Sequence, residues 1–160
     1  MLVVREVTGP TLRQTAWHEA GHAVVAWDQK FTVTLVSIQC TGAGYGRSEH
    51  TPAVDCAIPS DRRRENIVAL AGWAAEIASG AVTDLCDSDD YSRVVTRLEQ
   101  HAPPEDFEIE LGHAGSEAER IVSANRDRIE RLAIELMRRI ELVDAADILK
   151  VIEGAPPAAA

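Results

Sequence analysis

The stretch TAWHEAGHAVVAW, residues 15–27, sets two histidines and a glutamate into an apolar, alanine-rich run. Two readings compete: a helix that carries a metal site, or a core helix with three polar residues in it. His18 and His22 stand four residues apart, so on a helix their rings leave one face about one turn apart. That separation lets two imidazoles grip one ion. Glu19 is turned too far round to ligate the same ion comfortably, but it can reach a water held in an open coordination position. The core-helix reading leaves three ionisable groups among Ala, Val and Trp, which is costly unless they are paired.

The pattern is H-E-x-x-H, two ligands plus a general base, as in zinc peptidases. Gly21 favours the same reading. A mid-helix glycine costs about 1 kcal/mol against alanine, so the missing side chain implies close approach of another segment.

Catalytic Zn²⁺ takes three protein ligands and keeps one position open. The metzincin extension would need glycine and histidine where Val25 and Asp28 stand, so the third ligand comes from further along the chain. Glu65, Glu76, Asp87, Asp89 and Asp90 are the candidate carboxylates, with Asp84 in a less regular stretch. Cys86 is a weaker candidate, because zinc in peptidases favours histidine and carboxylate. Glu76 has another role open to it: accepting the N–H of a ligand histidine and so holding its orientation. Its plain alternative is a helix-surface charge. His50, His101 and His113 lie in polar, loop-like context and read as exposed, with His50 or Tyr45 within reach of the metal.

Outward from this helix, Thr11 and Gln14 form a capping box that opens it, and Trp17, Ala20, Val24 and Trp27 recur at helical spacing to about Gln29. TVTLVSIQC, residues 32–40, is β-branched and reads as a strand. Gly42, Gly44 and Gly46 turn the chain, and a faint further strand precedes Pro59. Ser60 is expected to cap a second helix with Ile67, Leu70, Ala71, Ala74 and Ile77 on its buried face and Gly80 at its end. DSDDYSRVVTRL, residues 87–98, opens a third helix that Pro103 and Pro104 stop. Ser116 and Glu119 read as a capping box for one long helix through Ile121, Ile129, Leu132, Leu136 and Ile140. Asp144 caps a short last helix ending at Gly154, and residues 155–160 read as a disordered tail. The expected fold is mostly α with a small early β-sheet, a single domain over residues 1–154.

With 160 residues the chain buries roughly 70% of its unfolded surface and needs no metal to fold, so a metal is expected to be catalytic. A formal charge of −10 argues against a nucleic-acid partner. DRRREN, residues 61–66, is the basic exception and reads as a solvated helix face. Three cysteines without a C-x-x-C pair read as free thiols in a reducing cytosol. No run is long and apolar enough to span a membrane, and residues 1–10 lack a signal-peptide pattern. A cytoplasmic protein is expected.

HEAGHAVVAW (18–27), VSI (36–38), GYG (44–46), AGWAAEIASG (71–80) and DSDDYSRV (87–94) together resemble, in order, the proteolytic domain of the FtsH family of ATP-dependent zinc metalloproteases. The C-terminal NRDRIERLAIELM and DAADILKVI are similar to that domain's last helices, so the resemblance covers about residues 11–153, with a shorter segment around 103–115. It implies a zincin-like metallopeptidase helical domain that hydrolyses peptide bonds in unfolded proteins or peptides. It also implies Zn²⁺ on His18, His22 and Asp90, with Glu19 as base. Leu85, Cys86 and Asp87 replace the family's usual lead-in and Asp89 replaces its asparagine, which keeps Asp89 and Asp87 open as alternative ligands.

The family's membrane anchor and ATPase module have no counterpart in the sequence read here, and no G-x-x-x-x-G-K-[ST] occurs in it. The expectation is a stand-alone domain served by peptides, by unfolded segments, or by a separate ATPase or adaptor. The family's rings make a homo-oligomer an open possibility. A zinc-binding but catalytically silent regulatory or scaffold protein is the alternative, and an enzyme dedicated to one regulatory partner a further one. An intact Glu19 argues against silence, because a scaffold has no use for a base.

Overall fold

A computed structural model describes residues 10–42, 44–81 and 88–154. Among these the chain is mostly helical with a small three-stranded antiparallel sheet. Helix α1 spans Leu12–Asp28, opened by the reciprocal Thr11–Gln14 capping box, and strand β1 spans Thr32–Ser37. Strand β2 is Arg47–Thr51, helix α2 Pro59–Ala78 and helix α3 Asp89–His101. A 3-10 turn at Pro104–Asp106 leads into α4, Phe107–Ala124; α5 is Arg126–Arg139, β3 Glu141–Leu142 and α6 Ala145–Glu153. No helix of the described residues is long and apolar enough to cross a membrane. The tail expected at residues 155–160 lies outside the described residues.

Helix α1 is the centre of the molecule. Ala16, Ala20, Ala23, Val24, Val25 and Ala26 are fully buried, and α2, α5 and the sheet all pack on it. A helix buried on most of its circumference must be apolar nearly all round, which is how this sequence reads. Gly21 is where α2 crosses: a Cβ there would stand 2.5 Å from Ala75 Cβ and 2.7 Å from Ala71 O. Glycine is thus required by close backbone approach.

The sheet runs in the order β2-β1-β3, with β1 in the middle. Thr32 faces Thr51 and Ser37 faces Arg47 on one side, while Val36 and Ser37 face Leu142 and Glu141 on the other. The apolar strand is therefore central, and the polar β2 forms an edge. β3 carries no periodic signal because it is two residues long. It follows the turn at Ile140, which holds φ 70° and accepts the Ile38 N–H at 2.9 Å.

Four expectations are corrected. Pro59 takes the first position of α2, so Ile58 is the cap residue and Ser60 lies inside the helix. Ile77 is 46% exposed, because it falls on the side of α2 turned away from α1. The long helix through Ile140 is two helices. Ser116 sits within α4, which begins at Phe107, and the break comes at Asn125, whose side-chain N–H donates to Ile121 O at 3.0 Å.

The fourth concerns DRRREN. Arg62 is 2% exposed and pairs in bidentate fashion with the buried Glu110 of α4, at 2.9 and 2.7 Å. Arg64 lies over the Phe31 ring, 4.2 Å from its centroid. A solvated face is left mainly at Arg63.

The Arg62 hydrogen bonds hold the Glu110 carboxyl below its ordinary value of 4.5. A carboxyl depressed by folding contributes stability above its unfolded pKa and loses it as pH falls through the folded value. Glu110→Ala leaves the Arg62 cation buried without its partner and is expected to cost about 3–5 kcal/mol. Guanidinium unfolding of wild type and variant at neutral pH measures this, and in Glu110→Gln the part of the acid destabilisation below about pH 4.5 due to this carboxyl should disappear.

Candidate metal centre

Two elements bring three side chains to one point. α1 supplies His18 and His22 one turn apart, and α3 supplies Asp90 from its first turn. Ser88 caps α3, its hydroxyl accepting the Tyr91 N–H at 3.0 Å, and the helix dipole favours a carboxylate there. His18 Nε2 lies 2.9 Å from His22 Nε2 and 2.9 Å from Asp90 Oδ2, and His22 Nε2 lies 3.2 Å from the same oxygen. Among the described residues these three form the group whose ligand atoms could share one ion.

The other ring nitrogens define what those atoms are. His22 Nδ1 stands 2.8 Å from the carbonyl of Val68, so it must carry a hydrogen and donate. His18 Nδ1 stands 2.5 Å from Glu76 Oε1. With both rings neutral, each Nε2 then presents a lone pair, and a carboxylate oxygen presents another to the same spot. Three acceptors converging at hydrogen-bond distance repel one another unless a proton or a metal ion sits among them. Tetrahedral zinc with bonds of about 2.0–2.1 Å separates its ligand atoms by about 3.3 Å. The group needs to open by only a few tenths of an ångström to fit.

Helix α2 builds the wall behind the ligands. Glu65, Val68, Gly72 and Glu76 follow one another at helical spacing along one face. Glu65 bonds His50 Nε2 at 2.9 Å, the Val68 carbonyl and Glu76 orient the two ligand rings, and Gly72 lies under both. A Cβ on Gly72 would stand 2.5 Å from the Nε2 atoms of both His18 and His22. Gly46, just before β2, does the same for Glu19: a Cβ there would stand 2.7 Å from Glu19 Oε1. Glu19 is 7% exposed, and burial pushes its carboxyl above the ordinary value against the opposing pull of His22 and His18.

Of the carboxylates considered from sequence, Asp90 is the one that joins the histidines. Asp89, the preceding residue, is exposed and takes no part in the group, since adjacent helical side chains point about 100° apart. Glu65 is engaged by His50, and Glu76 takes the orienting role on His18 Nδ1. Asp84, Cys86 and Asp87 lie outside the described residues. His101 and His113 are exposed as expected, whereas His50 is on β2, packed against the Phe31 ring with 4.5 Å between centroids. Tyr45 is 52% exposed and lines the cavity of about 580 Å³ that covers the site.

Gly72, Gly46 and the Val68 carbonyl were not legible as site groups. A mid-helix glycine one turn before Glu76 is the signal that could have found Gly72. No protein-family model matches the chain, and comparison with curated proteins gives no match.

Two outcomes follow for the metal. Gly72→Ala should fold, since alanine is the better helix former by about 1 kcal/mol, yet its methyl fills the space before both Nε2 atoms. Metal content by atomic emission is expected to drop to near zero with the circular dichroism unchanged.

The second concerns protons. In the metal-free protein burial opposes a charge on His18, but Asp90 and Glu76 outweigh it and raise its pKa to about 10. Below that value metal uptake must displace the His18 proton, so affinity should rise with pH through the neutral range. Calorimetry in buffers of different ionisation enthalpy should count about one proton released per ion at neutral pH.

Proposed function

We propose that the protein is a zinc-dependent endopeptidase with a zincin-like helical domain, acting on unfolded proteins or peptides. The observation that carries this reading is the convergence of His18 Nε2, His22 Nε2 and Asp90 Oδ2, with both remaining ring nitrogens committed elsewhere. The resemblance of the ordered motifs to the FtsH proteolytic domain supports the same reading. So does the donor set, two imidazoles and one carboxylate, which suits zinc in peptidases.

Zinc held by these residues would supply Lewis acidity, polarising a peptide carbonyl and bringing the pKa of a water toward about 7. Glu19 is the proton carrier. Its carboxylate accepts a proton from the attacking water and returns it to the leaving amine nitrogen. Burial raises the carboxyl's affinity for that proton, the direction a general base near a metal-bound water requires. Glu76 holds the His18 ring and the Val68 carbonyl the His22 ring, so neither ligand turns as the substrate enters.

β2 gives the substrate a place to lie. It is the sheet edge that begins beside Glu19, at Gly46, and an extended peptide added to it would pass the base. β1, in the middle of the sheet, is paired on both sides near its end. Substrates reach the site as peptides, as unfolded segments, or from a separate ATPase or adaptor.

Glu19→Gln keeps the shape of the side chain and removes its basicity. It is expected to retain about one zinc per chain while cleavage of an unfolded casein falls by about 10²–10⁴-fold. Substantial residual cleavage sinks Glu19 as base. A wild type that holds zinc and cuts neither casein nor a peptide library supports the silent scaffold instead.

A further inference from the structure

The face of α3 beyond Asp90 forms a groove that runs off the metal centre. Asp89, Arg93 and Arg97 line both the cavity over the site and a shallower depression of about 500 Å³ that continues past Thr96 to His101. Arg93 and Arg97 stand one helical turn apart on this face. Arg93 is 72% exposed, with its nearest carboxylate contact at 3.9 Å to Asp90 Oδ1.

Arg97 is held differently. Its Nη1 donates to Asn66 Oδ1 at 2.7 Å, and Asn66 is 1% exposed. A neutral amide fixes the guanidinium in place without cancelling its charge. Glu65, in the same cavity wall, is bonded to His50, and among the described residues no ion pair to Arg97 occurs. Glu65 attracts Arg97 without bonding to it, so the groove leading from the site holds an anchored cation that makes no ion pair among the described residues.

We propose that this groove binds an acidic stretch of the substrate, with Arg97 reading an aspartate or glutamate on one side of the scissile bond. The proposal rests on the peptidase reading for its link to cleavage, but the groove's charge preference can be measured without it. Seven residues of helix separate Asp90 from Arg97, a rise of about 10 Å. An extended chain covers that in about three residues. A carboxylate at that distance meets a pre-positioned guanidinium able to donate two hydrogen bonds, whereas a lysine meets like charge. Arg97 is then a specificity-determining residue, and Asn66 the group that positions it.

The test uses the zinc-loaded Glu19→Gln protein and fluorescein-labelled peptides that are identical except for a run of Glu, Gln or Lys. Anisotropy titration is expected to give about tenfold tighter binding of the Glu peptide than of the Gln peptide. Arg97→Lys should keep most of that ratio, Arg97→Gln should bring it near one, and Arg97→Glu should turn the order toward the Lys peptide. Equal affinities, a Lys preference in the parent, no binding of any peptide, or an order indifferent to Arg97 overturns the proposal. Selective binding of the Glu peptide together with a wild type that cuts nothing would uphold the groove and defeat the peptidase reading, so the two failures are distinguishable.

Discussion

The close crossing of α1 and α2 is the constraint on which the rest depends. Gly21 lets the Ala71 and Ala75 surface of α2 come against α1, and Gly72 then fits beneath the two histidine rings. At that separation the Val68 carbonyl and the Glu76 carboxylate reach the outer ring nitrogens directly. A Cβ at Gly21 would push the helices apart, and one at Gly72 would displace the two rings. Packing and ligand geometry are therefore one property here. The pair of helices that would cost least to form, with alanine at position 21 of α1 and 72 of α2, is not the pair that could hold an ion.

Around that crossing the molecule manages a concentration of negative charge. Glu19, Glu76 and Asp90 share one small region with two histidines, in a chain already at −10. Each has its own compensation. Glu76 holds a ring N–H, Asp90 faces the two Nε2 atoms from a helix N-terminus, and Glu19 is attracted by His22 and His18. Farther out the charges pair more conventionally, with Glu65 on His50 and the buried Arg62–Glu110 pair tying α2 to α4. Arg97 is the exception, a cation fixed by an amide in the groove that leads away from the centre.

Much of the fold was legible because its signals are local. The Thr11–Gln14 box at the start of α1 and Asp144 at the start of α6 both cap where the sequence places them. Local signals also misled. Ser116 and Glu119 have capping-box spacing, yet they lie inside a helix that Pro104 and Phe107 had already begun, and a cap motif has no effect where its backbone N–H groups are already bonded. The basic run at residues 61–66 looked solvated because charge alone does not reveal a buried partner 48 residues away.

By itself the sequence determined the helical phase of His18 and His22, their placement on a central apolar helix, and an acidic first turn downstream able to complete a ligand set. These depend on spacing along one element, and helical spacing is fixed by the backbone. The tertiary structure decided which carboxylate lies beside the two histidines, which glycines make room, and which strand forms the sheet edge. Asp89 and Asp90 are chemically alike and adjacent. Only the way α3 packs on α2 and α4 turns one toward the histidines and the other to solvent. That packing is between distant segments, and no local pattern encodes it.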